Sequence, residues 1–231
     1  MKVAIMQPYF FPYIGYYQLI DSVDLFVIYD NIQYTKKGWI NRNRFLQNGK
    51  DAYFSIPLQK ASDYLNVVDR TVALEFKKEK LLNQLREVYK KAPNYEKAFP
   101  IFKNCILHDE SNLFKYIYYS INKVIGELDI QTNMIVSSSI DVDPTLRGQD
   151  KVLAICKELN ATTYINPIGG VDLYSKEDFA EKGIDLNFIK SKPIEYKQYD
   201  DEFVPWLSIM DIMMFNDLAT VRGMLKCRDV I

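Results

Sequence analysis

KVAIMQPYFFPYIGYYQLIDSVDLFVIYD, residues 2–30, decides how the rest of the chain is read. Lys2 to Met6 and Leu25 to Tyr29 are short apolar runs, each ended by a polar residue, Gln7 and Asp30. Runs of this kind suit strands buried on both faces of a parallel sheet. Tyr13 to Ser22, between them, has room for about two to three helical turns. The stretch therefore reads as a right-handed βαβ unit. Its QPYFFP segment falls at the carboxyl end of the first strand, where open α/β sheets bind their ligands.

Working outward, Asn31 to Gln47 is polar and basic, and Tyr53 to Leu58 is a third apolar run that Pro57 confines to an edge or an end. Residues 63–72 suggest a further extended piece. Lys77 to Glu127 then carries three patterns with apolar residues at three- and four-residue spacing: LLNQLREVYKKA, YEKAFPIFKNCIL and SNLFKYIYYSINKVIGEL. Pro93 and Pro100 separate or kink the first two, and Ser111 is placed to cap the third. Alternation resumes with a strand at 134–139, a helix at Asp150–Leu159, a strand at 162–166, a helix at Lys176–Lys182 and a strand at 184–190. Two helical patterns, WLSIMDIMMF and LATVRGML, follow. The expectation is one α/β domain, residues 1–231, with a mainly parallel doubly wound sheet of Rossmann or nucleotidylyltransferase type. A helical insertion at 77–127 and C-terminal helices complete it.

Composition narrows the function. Lys plus Arg is 29 against 30 for Asp plus Glu, so no net field draws the chain to nucleic acid or an anionic membrane. Cys105, Cys156 and Cys227 lie far apart without CxxC or Cys/His spacing, which argues against a disulfide framework and a zinc site and suits a reducing cytoplasm. No run approaches the length of a membrane span. Aromatics reach 14%, and tyrosine-rich surfaces suit sugars and bases, because the ring stacks while the hydroxyl hydrogen-bonds.

Neither GxGxxG nor GxxxxGK[ST] stands at the first turn. The spacing instead resembles the nucleotidylyltransferases and pantothenate synthetases, with Tyr13-Ile14-Gly15-Tyr16 where those have HxGH. The sole histidine, His108, lies in the helical block. Gln7, Tyr9, Tyr13 and Gly15 are the candidate binding residues of this loop. The second constellation is YDNIQYTKKGWINRNRF, 29–45. Asp30 is placed to bind a sugar hydroxyl, coordinate Mg²⁺ or act as a base. Lys36, Lys37, Arg42 and Arg44, with Asn41 and Asn43, offer donors to an anion. Gln33 adds a donor, and Tyr34 and Trp39 add stacking faces. Asp30, Lys37 and Arg44 are the candidate catalytic groups. The third is INPIGGV, 165–171, where Gly169 and Gly170 permit positive φ and backbone amides that cradle a ligand. No metal cluster is read, and the cofactor stays open between ATP, a nucleotide sugar and Mg²⁺.

MQPYFFPYIGYYQLI, VDLFVIYDNIQYTKKGWINRNR and KVLAICKELNATTYINPIGG together resemble the WbqC-like proteins found with cell-surface polysaccharide and O-antigen biosynthesis enzymes. The resemblance covers essentially the whole chain and is strongest over 3–45 and 150–174. It implies a cytoplasmic role in building or decorating nucleotide-linked sugars. The expected function is a transferase or ligase that acylates or aminoacylates a nucleotide-linked amino sugar. The alternative is a non-catalytic nucleotide-sugar-binding or accessory subunit. A small-molecule substrate is expected, no nucleic acid is, and self-association is left open.

Overall fold

The computed structural model describes residues 1–199 and 202–231. Strand β1 (Lys2–Met6) leads through helix α1 (Ile14–Ile20) to β2 (Leu25–Ile28). A hairpin follows, β3 (Arg42–Gln47) and β4 (Lys50–Ser55), then helices α2 (Lys78–Tyr89), α3 (Tyr95–Leu107) and α4 (Leu113–Glu127). The chain continues as β5 (Asn133–Val136), α5 (Gly148–Glu158), β6 (Thr163–Pro167), α6 (Lys176–Glu181) and β7 (Asp185–Ser191). It closes with α7 (Ile209–Phe215), α8 (Leu218–Met224) and β8 (Arg228–Val230).

The six-stranded sheet runs β5-β2-β1-β6-β7-β8, parallel except for β8. The order reverses between β1 and β6, the arrangement of the doubly wound dinucleotide-binding folds. Alternating side chains divide between two layers. Ala4, Phe26, Ile28, Ile165 and Ile189 join α1, the three mid-chain helices, α7 and α8 in the larger core. Val3, Ile5, Val27, Tyr164, Leu186 and Phe188 pack against α5 and α6. Full burial of each Val, Leu, Ile or Phe among them contributes about 1.5–3 kcal/mol, which is why these runs cannot slip by one residue. At the reversal, β1 and β6 pair only at Lys2↔Thr163 and Val3↔Tyr164. β6 and β7 stay in register through Pro167↔Ile189. The carboxyl halves of β1 and β6 therefore part.

Three expectations need correction. The apolar run from Tyr53 belongs not to the main sheet but to a separate two-stranded antiparallel ribbon, in which Arg44 pairs with Tyr53. The ribbon reverses at Asn48 (φ 53°) and Gly49 (φ 69°), both left-handed as a two-residue hairpin turn requires. Helix α4 is capped by Asn112, whose side chain accepts from the Lys115 amide at 3.0 Å, rather than by Ser111. β8, three residues long, completes the sheet where only helices were expected.

Candidate functional site

Three segments distant in sequence are clipped together at the end of β1. Asn43, buried in β3, donates its amide to the carbonyls of Phe10 (3.2 Å) and Phe11 (2.9 Å). The Phe10 amide donates to Ile40 O at 3.0 Å. The Ser208 hydroxyl donates to Phe11 O at 2.8 Å, and the Ser208 amide donates to Arg44 O at 2.9 Å. These bonds hold Phe11 at φ 44° and Trp206 at φ 60°, conformations that non-glycine residues adopt only under constraint.

The segments enclose a cavity of about 260 Å³ lined by Tyr9, Pro12, Tyr13, Trp39, Asn43, Arg44 and Trp206. The Arg44 guanidinium donates to Trp206 O (2.9 Å) and Asp51 Oδ2 (3.2 Å), and lies 5.5 Å from the Trp39 ring centre. Its Nε is buried without an acceptor among the described residues. Tyr13 and Trp206 meet edge to face at 5.8 Å and also wall a second cavity of about 690 Å³. Lys190, Ser191, Lys192, Glu195, Tyr196 and Phe203 line that neighbour. Burial, reinforced by Tyr13, pushes the Tyr9 phenol up to about 12. Burial raises Tyr13 as well, against a lowering hydrogen bond from Ser191. At neutral pH both phenols are hydrogen-bond donors and not bases.

Asp30 sits elsewhere, at the ends of β2 and β5. It is 1% exposed, and its Oδ1 accepts from Ser137 Oγ (2.8 Å) and the Ser138 amide (3.0 Å). Asn31 Oδ1 lies 2.8 Å from Ser137 Oγ, whose single proton it competes for with Asp30, and accepts from Lys151 Nζ (3.3 Å).

Tyr9, Tyr13, Trp39, Asn43 and Arg44 thus converge on one cavity, while the rest of the 29–45 cluster separates from it. Arg42 donates to the carbonyls of Gly38 and Lys37 and covers Trp39 and Tyr53. Asn41 joins Tyr34 OH (2.9 Å) to Ile56 O (2.8 Å). Gln33 donates to Asp63 O, Lys36 pairs with the Asp63 carboxylate in the open, and Lys37 is exposed. Gln7 gives its carbonyl to Tyr16 OH. Gly15 leaves room for the Tyr13 ring, which a Cβ would strike. Neither Gly169 nor Gly170 takes positive φ; Gly170 is needed because the Asn166 amide occupies the place of a Cβ. Trp206 and Lys151 were not foreseen. One lies far along the chain from the loop it completes, and the other looks in sequence like an ordinary helix-surface charge.

The model of the WbqC-like protein family matches residues 7–222, a span that includes every residue lining this cavity. The chain belongs to that family. An uncharacterised protein of Mycobacterium tuberculosis, Rv1507c, is 26% identical over 98% of this WbqC-like chain and 99% of its own length. No solved structure matches the chain. Among the described residues of this WbqC-like protein, no helix is long and apolar enough to cross a membrane, and no three His, Cys, Asp or Glu side chains gather as metal ligands.

Proposed function

We propose that this WbqC-like protein is a cytoplasmic enzyme of cell-surface polysaccharide biosynthesis, a transferase or ligase that acylates or aminoacylates a nucleotide-linked amino sugar. A cavity of about 260 Å³ matches one ring system, and its Tyr9, Tyr13, Trp39 and Trp206 walls suit a base or sugar face. The adjoining 690 Å³ cavity leaves room for the rest of the molecule, with Lys190 and Lys192 at hand for phosphates. The observation that carries the reading is the meeting of four aromatic side chains with the Arg44 guanidinium around one cavity, ring faces that can stack a flat group beside a fixed positive charge.

The test is calorimetric titration of nucleotide sugars into the chain and into Arg44→Lys and Tyr13→Ala, with mass spectrometry for an ATP-dependent product from carboxylates and amino-sugar nucleotides. Saturable binding lost in both variants is the expected result, and unchanged affinity in both refutes the assignment. The smaller cavity is lined by aromatics, proline, asparagine and arginine, none of which serves as a general base near neutral pH. That lining favours, as a second reading, a nucleotide-sugar-binding accessory subunit. Tight binding without turnover across the panel would select it.

A further inference from the structure

At the same carboxyl edge of the sheet, beyond β2 and β5, lies a cation whose charge the fold neutralises only in part. Lys151, in the first turns of α5, is 4% exposed. An ammonium withdrawn from water is costly unless it is paired and fully hydrogen-bonded. Lys151 enters no direct ion pair among the described residues, and of its three donors one reaches an acceptor, Asn31 Oδ1 at 3.3 Å. Its Nζ also lies 5.0 Å from the Tyr29 ring centre.

The surroundings add positive charge. Arg147 stands one helical turn before Lys151 and bonds the Pro144 and Leu146 carbonyls through one terminal nitrogen, leaving the other free among the described residues. Burial, then Arg147, lower the Lys151 ammonium, and Asp30 only partly offsets them. Among the described residues Asp30 Oδ2 has no donor, because Ser137 and Ser138 both contact Oδ1. Two N–H groups of Lys151, the second terminal nitrogen of Arg147 and Asp30 Oδ2 thus remain without protein partners among the described residues near the carboxyl ends of β2 and β5.

We propose that Lys151, Asn31 and Arg147 form a binding site for the oxyanion, phosphate or carboxylate, of a small metabolite whose adjacent hydroxyl donates to Asp30 Oδ2. The anion completes the counter-charge that Asp30 gives Lys151 only in part. The site is separate from the aromatic cavity.

Inorganic pyrophosphate and glycerate, which carry neither base nor sugar ring, are titrated into the full chain and into Lys151→Gln, Lys151→Arg and, as a charge control on the exposed face of α5, Lys157→Gln. Saturable binding of either probe is expected. It weakens about tenfold or more in Lys151→Gln and survives in Lys151→Arg and Lys157→Gln. Pyrophosphate alone binding identifies a phosphate ligand, and glycerate alone a carboxylate. In the absence of either probe, Lys151→Met melts no lower than the natural chain, because it removes a buried charge that Asp30 compensates only in part. The proposal is overturned if neither probe binds saturably, if Lys151→Gln binds as well as the natural chain, or if Lys157→Gln loses as much. A failure of nucleotide-sugar binding leaves these readings intact, since neither probe depends on the aromatic cavity.

Discussion

The aromatic cavity and the polar edge around Asp30 are built by opposite means. The cavity is assembled from three segments that are clipped together by hydrogen bonds to the carbonyls of Phe10, Phe11, Ile40, Arg44 and Trp206. The polar edge is given directly by strand ends, because the parallel register Ile28↔Val136 brings the residues after β2 beside those after β5. A ligand site hung on side-chain clips is open to disruption far from its walls, whereas one set by sheet register yields mainly to changes in its own residues.

The sharpest way to break this contrast is Asn43→Ala. Losing the buried donor to two carbonyls should cost about 2–3 kcal/mol and abolish nucleotide-sugar binding, read from denaturant melts and calorimetry. Pyrophosphate binding should persist wherever the variant stays folded. Ser137→Ala is the converse: it strips the shared donor from Asp30 and Asn31, costs about 1–2 kcal/mol, and weakens pyrophosphate while sparing the cavity. Gly49→Ala places a Cβ at φ 69° in the hairpin turn and should lower stability by about 1 kcal/mol, with a loss of cavity affinity that Ser137→Ala does not show.

The smallest effect is a slope. Behind the cavity, the buried Asp211 carboxylate accepts from Tyr89 OH (2.8 Å), Tyr196 OH (2.6 Å) and Gln198 Nε2 (2.9 Å). Tyr89 OH in turn accepts from the Leu46 amide of the hairpin. Burial raises the Asp211 carboxyl above its ordinary range, and the three hydrogen bonds only partly oppose it. The folded chain therefore takes up this proton more readily than the unfolded chain. Stability from this group increases as pH falls through the raised folded value and is fully gained below the ordinary unfolded one. Asp211→Asn should flatten that part of a melting-temperature profile against pH.

Much of the fold was legible because its strands are continuous apolar runs and its helices keep a three- and four-residue spacing, signals strong enough to place β1, β2, β6 and β7. The hairpin was read as a charge cluster. Asn41, Arg42, Asn43 and Arg44 look alike as donors in sequence, and only the pairing with β4 shows that three of them turn inward or onto their own loop. The Asn48-Gly49 dipeptide was the overlooked sign of that ribbon. β8 is too short to leave a periodicity. Tyr9, Tyr13, Trp39 and Arg44 were legible as cavity-lining candidates because each lies close to the end of β1, in the ribbon that folds over it or in the turn leading into that ribbon. Trp206 was not, since only tertiary contact carries it there.

That tryptophan also sets up an unusual trade between firmness and grip. An indole 60% exposed, on a backbone twisted to φ 60°, raises the energy of the resting fold by about 1–3 kcal/mol where glycine would sit at ease. Trp206→Gly should therefore melt higher in a thermal scan while holding any flat guest of the proposed cavity less tightly, so that robustness and occupancy pull this one position in opposite directions.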